Sequence, residues 1–121
     1  MYVRFDVSRS LADRMYEIVE EAIESGSVRK GMNETTKIVE RNDAELVIMA
    51  EDVDPPEILA YLPPLCEEKD TPYGYVPDQR ELGSAAGIEV GASAVAVVDS
   101  GNARDELESV KAKLEELRKG E

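Results

Sequence analysis

Apolar positions recur at helical spacing early in the chain, at Leu11, Met15, Ile18, Val19, Ala22 and Ile23, with Glu20, Glu21 and Glu24 on the opposite face. Ser8 and Ser10 offer N-caps for this helix, and Gly26 stops it. Before it, Tyr2 to Val7 alternates and is rich in β-formers, which predicts a short strand or an extended lead-in. Val28-Arg29-Lys30 is a brief strand, Gly31 a turn, and a second helix runs from Asn33 to about Arg41 with Ile38 and Val39 inward. The run Ala44 to Ala50 is almost wholly apolar and of strand length, as suits a central strand covered on both faces.

Past a loop at Glu51–Pro56, where Pro can take the first helical turn, Ile58, Leu59, Leu62 and Leu65 predict a helix that Pro63 and Pro64 kink or break. Tyr73–Val76 reads as a short strand, Asp78 as the cap of a helix to about Ala86, and Ala92–Val98 as a strand of small residues. A charged helix from Asp105 to Lys119 carries Val110, Leu114 and Leu117 as its buried stripe. Helices alternating with short strands predict an α/β fold, a three-layer α/β/α sandwich around a mixed sheet of about four strands. No internal repeat or domain boundary interrupts the pattern, so residues 1–121 are expected to form a single domain.

Composition narrows the function. The chain has no His, one Cys and no Trp, and its 14 Lys+Arg stand against 27 Asp+Glu, a formal charge of −13. One Cys excludes an internal disulfide, and the shortage of His and Cys excludes the common zinc sites. No run of about 18 apolar residues suggests a membrane span, and no apolar leader is evident, so a cytoplasmic location is expected. Without His the commonest general base is missing, and catalysis is not expected. Cys66, in Leu65-Cys66-Glu67-Glu68, reads as a small buried hydrophobe.

The acidic group Glu51, Asp52 and Asp54 could attract a divalent cation, but its spacing fits no calcium loop; a solvated loop capping the next helix explains it better. Gly83, Gly87 and Gly91 recur every fourth residue without the Gly-Lys-Ser/Thr of a phosphate loop, so turn chemistry at a helix end accounts for them. No cofactor is implied.

The charge is unevenly distributed. Between Gly26 and Arg41, Arg29, Lys30, Lys37 and Arg41 face only Glu34 and Glu40, which gives +2 there and leaves −15 elsewhere. If Asn33 starts the helix, Asn33, Glu34 and Lys37 share its first turns, beside free N–H groups and the positive end of the dipole. An amide, a carboxylate and an ammonium together can read base edges. The same residues also suit a bland role, with Asn as cap and Glu34–Lys37 as a surface pair.

Gly31-Met32-Asn33-Glu34-Thr35-Thr36-Lys37 resembles the signature of the archaeal ribosomal protein L-seven-Ae family of kink-turn RNA binders. The likeness continues through Ala44–Val53, Leu62–Lys69, Pro72-Tyr73 and Leu82–Val90, in order and with few gaps. It implies an α/β/α sandwich that recognises kink-turns, RNA bends built on tandem sheared G·A pairs.

On that resemblance Asn33, Glu34 and Lys37 contact the guanines, with Gly31 and Thr36 in the same motif and Lys30 and Arg41 serving the backbone. Ile88, Glu89 and Val90 match a second RNA-facing loop, whose form here is associated with acceptance of both kink-turns and kink-loops. Asp54 and Ile58 fall where the pocket for the extruded base forms. Near Gln79 the family often has Lys, so a phosphate contact is weakened or replaced there.

Family partners are rRNA, box C/D and H/ACA guide RNAs, ribonuclease P RNA (hence tRNA processing), and the core proteins of those particles. A monomer is the default. Acidic growth-arrest proteins share the fold, which leaves a protein-interaction module as the alternative. The acidity also fits a salt-loving source, because the Debye length shrinks to about 3 Å at 1 M salt, or an engineered surface.

Overall fold

Ser8 accepts a hydrogen bond from the Leu11 N–H at 3.1 Å and so caps α1, Arg9–Ser25, which buries Leu11, Met15, Ile18, Val19 and Ala22. The computed structural model describes residues 1–120. After α1 come β1 (Ser27–Lys30), α2 (Met32–Glu40), β2 (Leu46–Ala50), a 3-10 turn at Pro56–Leu59, α3 (Leu62–Glu68) and β3 (Tyr73–Val76). α4 (Gln79–Ala85), β4 (Ala94–Asp99), a second 3-10 turn and α5 (Arg104–Lys119) complete the order.

The strands form one mixed sheet in the order β1-β4-β2-β3, with β4 antiparallel to both neighbours and β2 parallel to β3. α1, α4 and α5 pack together on one face, and α2 pairs with α3 on the other. This is the expected three-layer arrangement. Every residue of β2 and β3 is buried, as two covered faces require. Arg9 pairs with Glu81 at 3.1 Å, and Arg14 with Glu106, tying α1 to α4 and to α5. Among the described residues no helix is long and apolar enough to cross a membrane.

Some boundaries differ from expectation. Of the two alternatives for residues 2–7, the extended lead-in is the one formed. Their Tyr2 and Phe5 pack on Tyr73 and Tyr75 of β3, with the Phe5–Tyr75 ring centroids 5.1 Å apart. The expected helix through Ile58 and Leu65 is two elements, with the break at Ala60-Tyr61. Pro63 and Pro64 therefore stand in the first turn of α3, where a missing N–H costs no helical bond. α2 begins at Met32, capped by Gly31 at φ 95°, so Asn33 is neither its first residue nor its cap.

The sheet topology decides where a site can form. Because β4 opposes the other strands, the C-terminal ends of β1, β2 and β3 meet the N-terminal end of β4 at one edge. Four connections emerge there: residues 30–33, 51–58, 77–79 and 86–93.

Candidate nucleic-acid interface

The first connection is fixed to the sheet by its backbone. The Gly31 N–H donates to the Ala94 carbonyl at 2.8 Å, and the Gly31 carbonyl accepts the Thr35 N–H at 3.0 Å. Gly31 thus leaves β1 and opens α2 in one step, at a positive φ that other residues rarely adopt. No side chain caps this helix. The N–H groups of Met32, Asn33 and Glu34 therefore lack intrahelical partners, at the positive end of the dipole.

Asn33, Glu34 and Lys37 are exposed around those N–H groups, while Thr35, Ile38 and Val39 face the interior. Lys37 Nζ lies 3.6 Å from Glu34 Oε2 with both side chains more than half exposed. Such a surface pair is worth only about 0.5 kcal/mol and leaves both groups ready to exchange it for a ligand. Thr36 is committed differently, its hydroxyl donating to the Met32 carbonyl at 2.8 Å. Lys30 is exposed at the end of β1. Arg41 caps the far end of α2, roughly 12 Å of helix beyond Asn33, and stands outside this cluster.

The connection after β2 is held by Tyr2, whose hydroxyl donates to the Ala50 carbonyl at 2.7 Å and accepts the Val53 N–H at 3.2 Å. Val53 is buried, whereas Asp54 is exposed and Ile58 keeps 45% of its surface in water, beside the fully buried Leu59. Asp52 reaches across to α4, where its Oδ1 accepts the Gln79 N–H at 3.0 Å. The acidic group does cap a helix, but one far along the chain and not the one that follows it. Partial burial, with Asp6 and Asp52 nearby, holds the Glu51 carboxyl above the usual carboxylate range. Among the described residues no group of three or more His, Cys, Asp or Glu could hold a metal ion.

The last connection carries Ile88, Glu89 and Val90. Ile88 is half-buried, Glu89 is exposed, and Val90 stands 70% exposed. The Ile88 N–H donates to the Gly83 carbonyl at 3.0 Å and the Ala92 N–H to the Gln79 carbonyl at 2.9 Å, so both ends of the loop rest on α4. Gln79 is therefore a junction. Its N–H holds the Asp52 loop and its carbonyl holds the 88–92 loop, while its side chain remains neutral.

Asn33, Glu34, Lys37, Lys30, Gly31, Thr36, Asp54, Ile58, Ile88, Glu89 and Val90 thus share one edge of the sheet, and Arg41 does not. Tyr2 organises that edge without a signal in the local pattern, because it acts through Ala50 and Val53, about 50 residues away, while the roles of Asp52 and Gly83 show only once the chain is folded. Cys66 is fully buried, away from the edge, and burial pushes its thiol up to about 12.

The model of a family described as the Ribosomal protein L7Ae/L30e/S12e/Gadd45 family matches residues 13–107. Among solved structures, the chain is similar to a Giardia lamblia 15.5kD RNA binding protein, at 30% identity and a TM-score of 0.87 over 92% of each chain. The matched residues run from α1 through the candidate edge into α5. This chain therefore belongs to the Ribosomal protein L7Ae/L30e/S12e/Gadd45 family.

Proposed function

We propose that this protein is a non-enzymatic RNA-binding protein, a single domain that recognises and stabilises kink-turn and kink-loop RNA through the edge described above. One observation carries the reading. A helix start with no side-chain cap presents Asn33, Glu34 and Lys37 to solvent, fixed to the sheet through Gly31 and at the same end of the sheet as an exposed apolar loop. The Glu34 carboxylate can accept from the amino and imino groups of a guanine, Asn33 can donate and accept, and Lys37 can reach a carbonyl or phosphate oxygen. Ile88 and Val90 offer apolar contact to a nucleotide turned out of the stack, the kind of base that proteins read most readily in RNA. Asp54 and Ile58 form the other wall for that nucleotide. Family membership and the likeness to an RNA binding protein support the same reading.

Binding would select the bent conformation from an RNA that is only partly folded. By the family resemblance the targets are archaeal-type rRNA, box C/D and H/ACA guide RNAs and ribonuclease P RNA. Titrating a kink-turn beside a control with its G·A pairs replaced tests the reading. A clear preference for the kink-turn is expected, and equal affinity would overturn it.

A second reading, docking of a protein partner, is favoured by a groove between α2 and α3. Met32, Pro64 and Leu65 line it, Glu40 and Glu68 add acidic groups, and Tyr61 stands 82% exposed in it. Because Asn33 and Lys37 also border this groove, a ribonucleoprotein core protein seated there would adjoin the RNA.

A further inference from the structure

Gly83 stands within α4, where a helix favours almost any residue over glycine. A Cβ at this position would lie 2.0 Å from the Val90 carbonyl oxygen, and 3.1 Å from both the Val90 carbonyl carbon and Gly91 Cα. Those are backbone atoms, and they cannot turn aside as a flexible side chain would. The Val90 carbonyl therefore rests directly on the helix backbone. The two hydrogen bonds from Ile88 to Gly83 and from Ala92 to Gln79 hold the loop down on either side of that contact. Ile88, Glu89 and Val90 thereby take their height above the sheet edge from the missing side chain of one glycine.

We propose that Gly83 is a positioning residue for RNA recognition, setting where Ile88 and Val90 meet the extruded nucleotide. This rests on the kink-turn reading above. The second contact region, α2, is anchored elsewhere, through Gly31 and Ala94. Lifting the loop should disable the apolar contact and leave the Asn33-Glu34-Lys37 set in place.

The test is a pair of double-mutant cycles on the full chain, read as affinity for a kink-turn RNA. In the unaltered protein Ile88→Ala should weaken binding about fivefold, the loss of one apolar contact. In the Gly83→Ala background the same change should cost less than about twofold, because the contact is already gone. Glu34→Ala should cost the same factor in both backgrounds.

Gly91→Ala serves as the matched control. Its Cβ would come no closer than 3.1 Å, to the flexible Gln79 Cγ, so its affinity should stay within about twofold of the parent. If Gly83→Ala does not fold, inserting one Gly after Val90 lengthens the loop, a change surface connections tolerate, and the same cycles apply. Full additivity of Ile88→Ala with Gly83→Ala, or with the insertion, overturns the proposal. An unaltered protein that does not distinguish the kink-turn from its G·A-replaced control overturns the reading beneath it.

Discussion

The two halves of the candidate interface are built by opposite means. The α2 half is polar where it faces water, at Asn33, Glu34 and Lys37, and its start is fixed to the sheet by a backbone bond from Gly31 to Ala94 while Ile38 and Val39 pack inward. The loop half is apolar where it matters, and α4 fixes its backbone at Gly83 and Gln79. A polar reader can wait in water at little cost, because its groups stay hydrated until RNA replaces the water. An apolar reader on a free loop would collapse onto the core, so it needs a clamp to remain outside. Discrimination between RNAs and plain affinity should therefore respond differently to changes in the two halves.

The largest expected effect lies in the polar half. Glu34→Ala should weaken kink-turn binding by about 2–3 kcal/mol, the cost of losing a charged hydrogen-bond partner. A gel-shift titration with unchanged affinity would remove Glu34 from the site. In the loop half, Val90→Ala should cost about 1 kcal/mol and should cost nothing against an RNA abasic at the extruded position. Equal losses on both RNAs would break the contrast between the halves.

Smaller still is the electrostatic term. The slope of log affinity against log salt should correspond to about two to four phosphates, since few basic residues lie near the edge. Gln79→Lys should strengthen binding modestly and steepen that slope by about one phosphate, and an unchanged slope would place residue 79 away from the RNA.

The smallest effect on binding is expected from Cys66→Ala, which should leave RNA affinity intact and lower stability by about 1 kcal/mol through the buried volume removed. The thiol is raised in the folded protein above its unfolded value. Its contribution to stability is therefore complete below the unfolded value, near 8.5, and declines as pH rises toward about 12. Between pH 8 and pH 11 the parent should lose stability relative to Cys66→Ala, so that their melting temperatures converge and then cross, and parallel curves would contradict the burial.

Local pattern carried much of the architecture and little of the site's support. The alternation of helices and short strands, the Asp78 cap and the buried run ending at Ala50 were legible because each depends on neighbours in sequence. The Asn33-Glu34-Lys37 set was legible as spacing on one helix, but its cap was not. Gly31 takes that role through a bond to Ala94, more than 60 residues away. The proline pair was seen, but its place at a helix start depended on where the 3-10 turn ended. Sequence spacing suggests turn chemistry for the periodic glycines, yet only the folded chain gives Gly83 its contact with Val90. Arg41 shares a face with Lys37 in sequence and falls too far along α2 to join the cluster.

The charge of −13 weighs on specificity more than on whether RNA is bound at all. With −15 outside the segment from Gly26 to Arg41, indiscriminate attraction to phosphate is disfavoured, which suits the proposed small region that would read base edges and shape. The most direct test is to titrate the protein, at one salt concentration, against a kink-turn RNA and against the same RNA with its G·A pairs replaced by Watson–Crick pairs. Binding at least about a hundredfold tighter to the kink-turn is expected, nearly 3 kcal/mol of discrimination, whereas equal binding to both would contradict the assignment of this edge as a kink-turn reader.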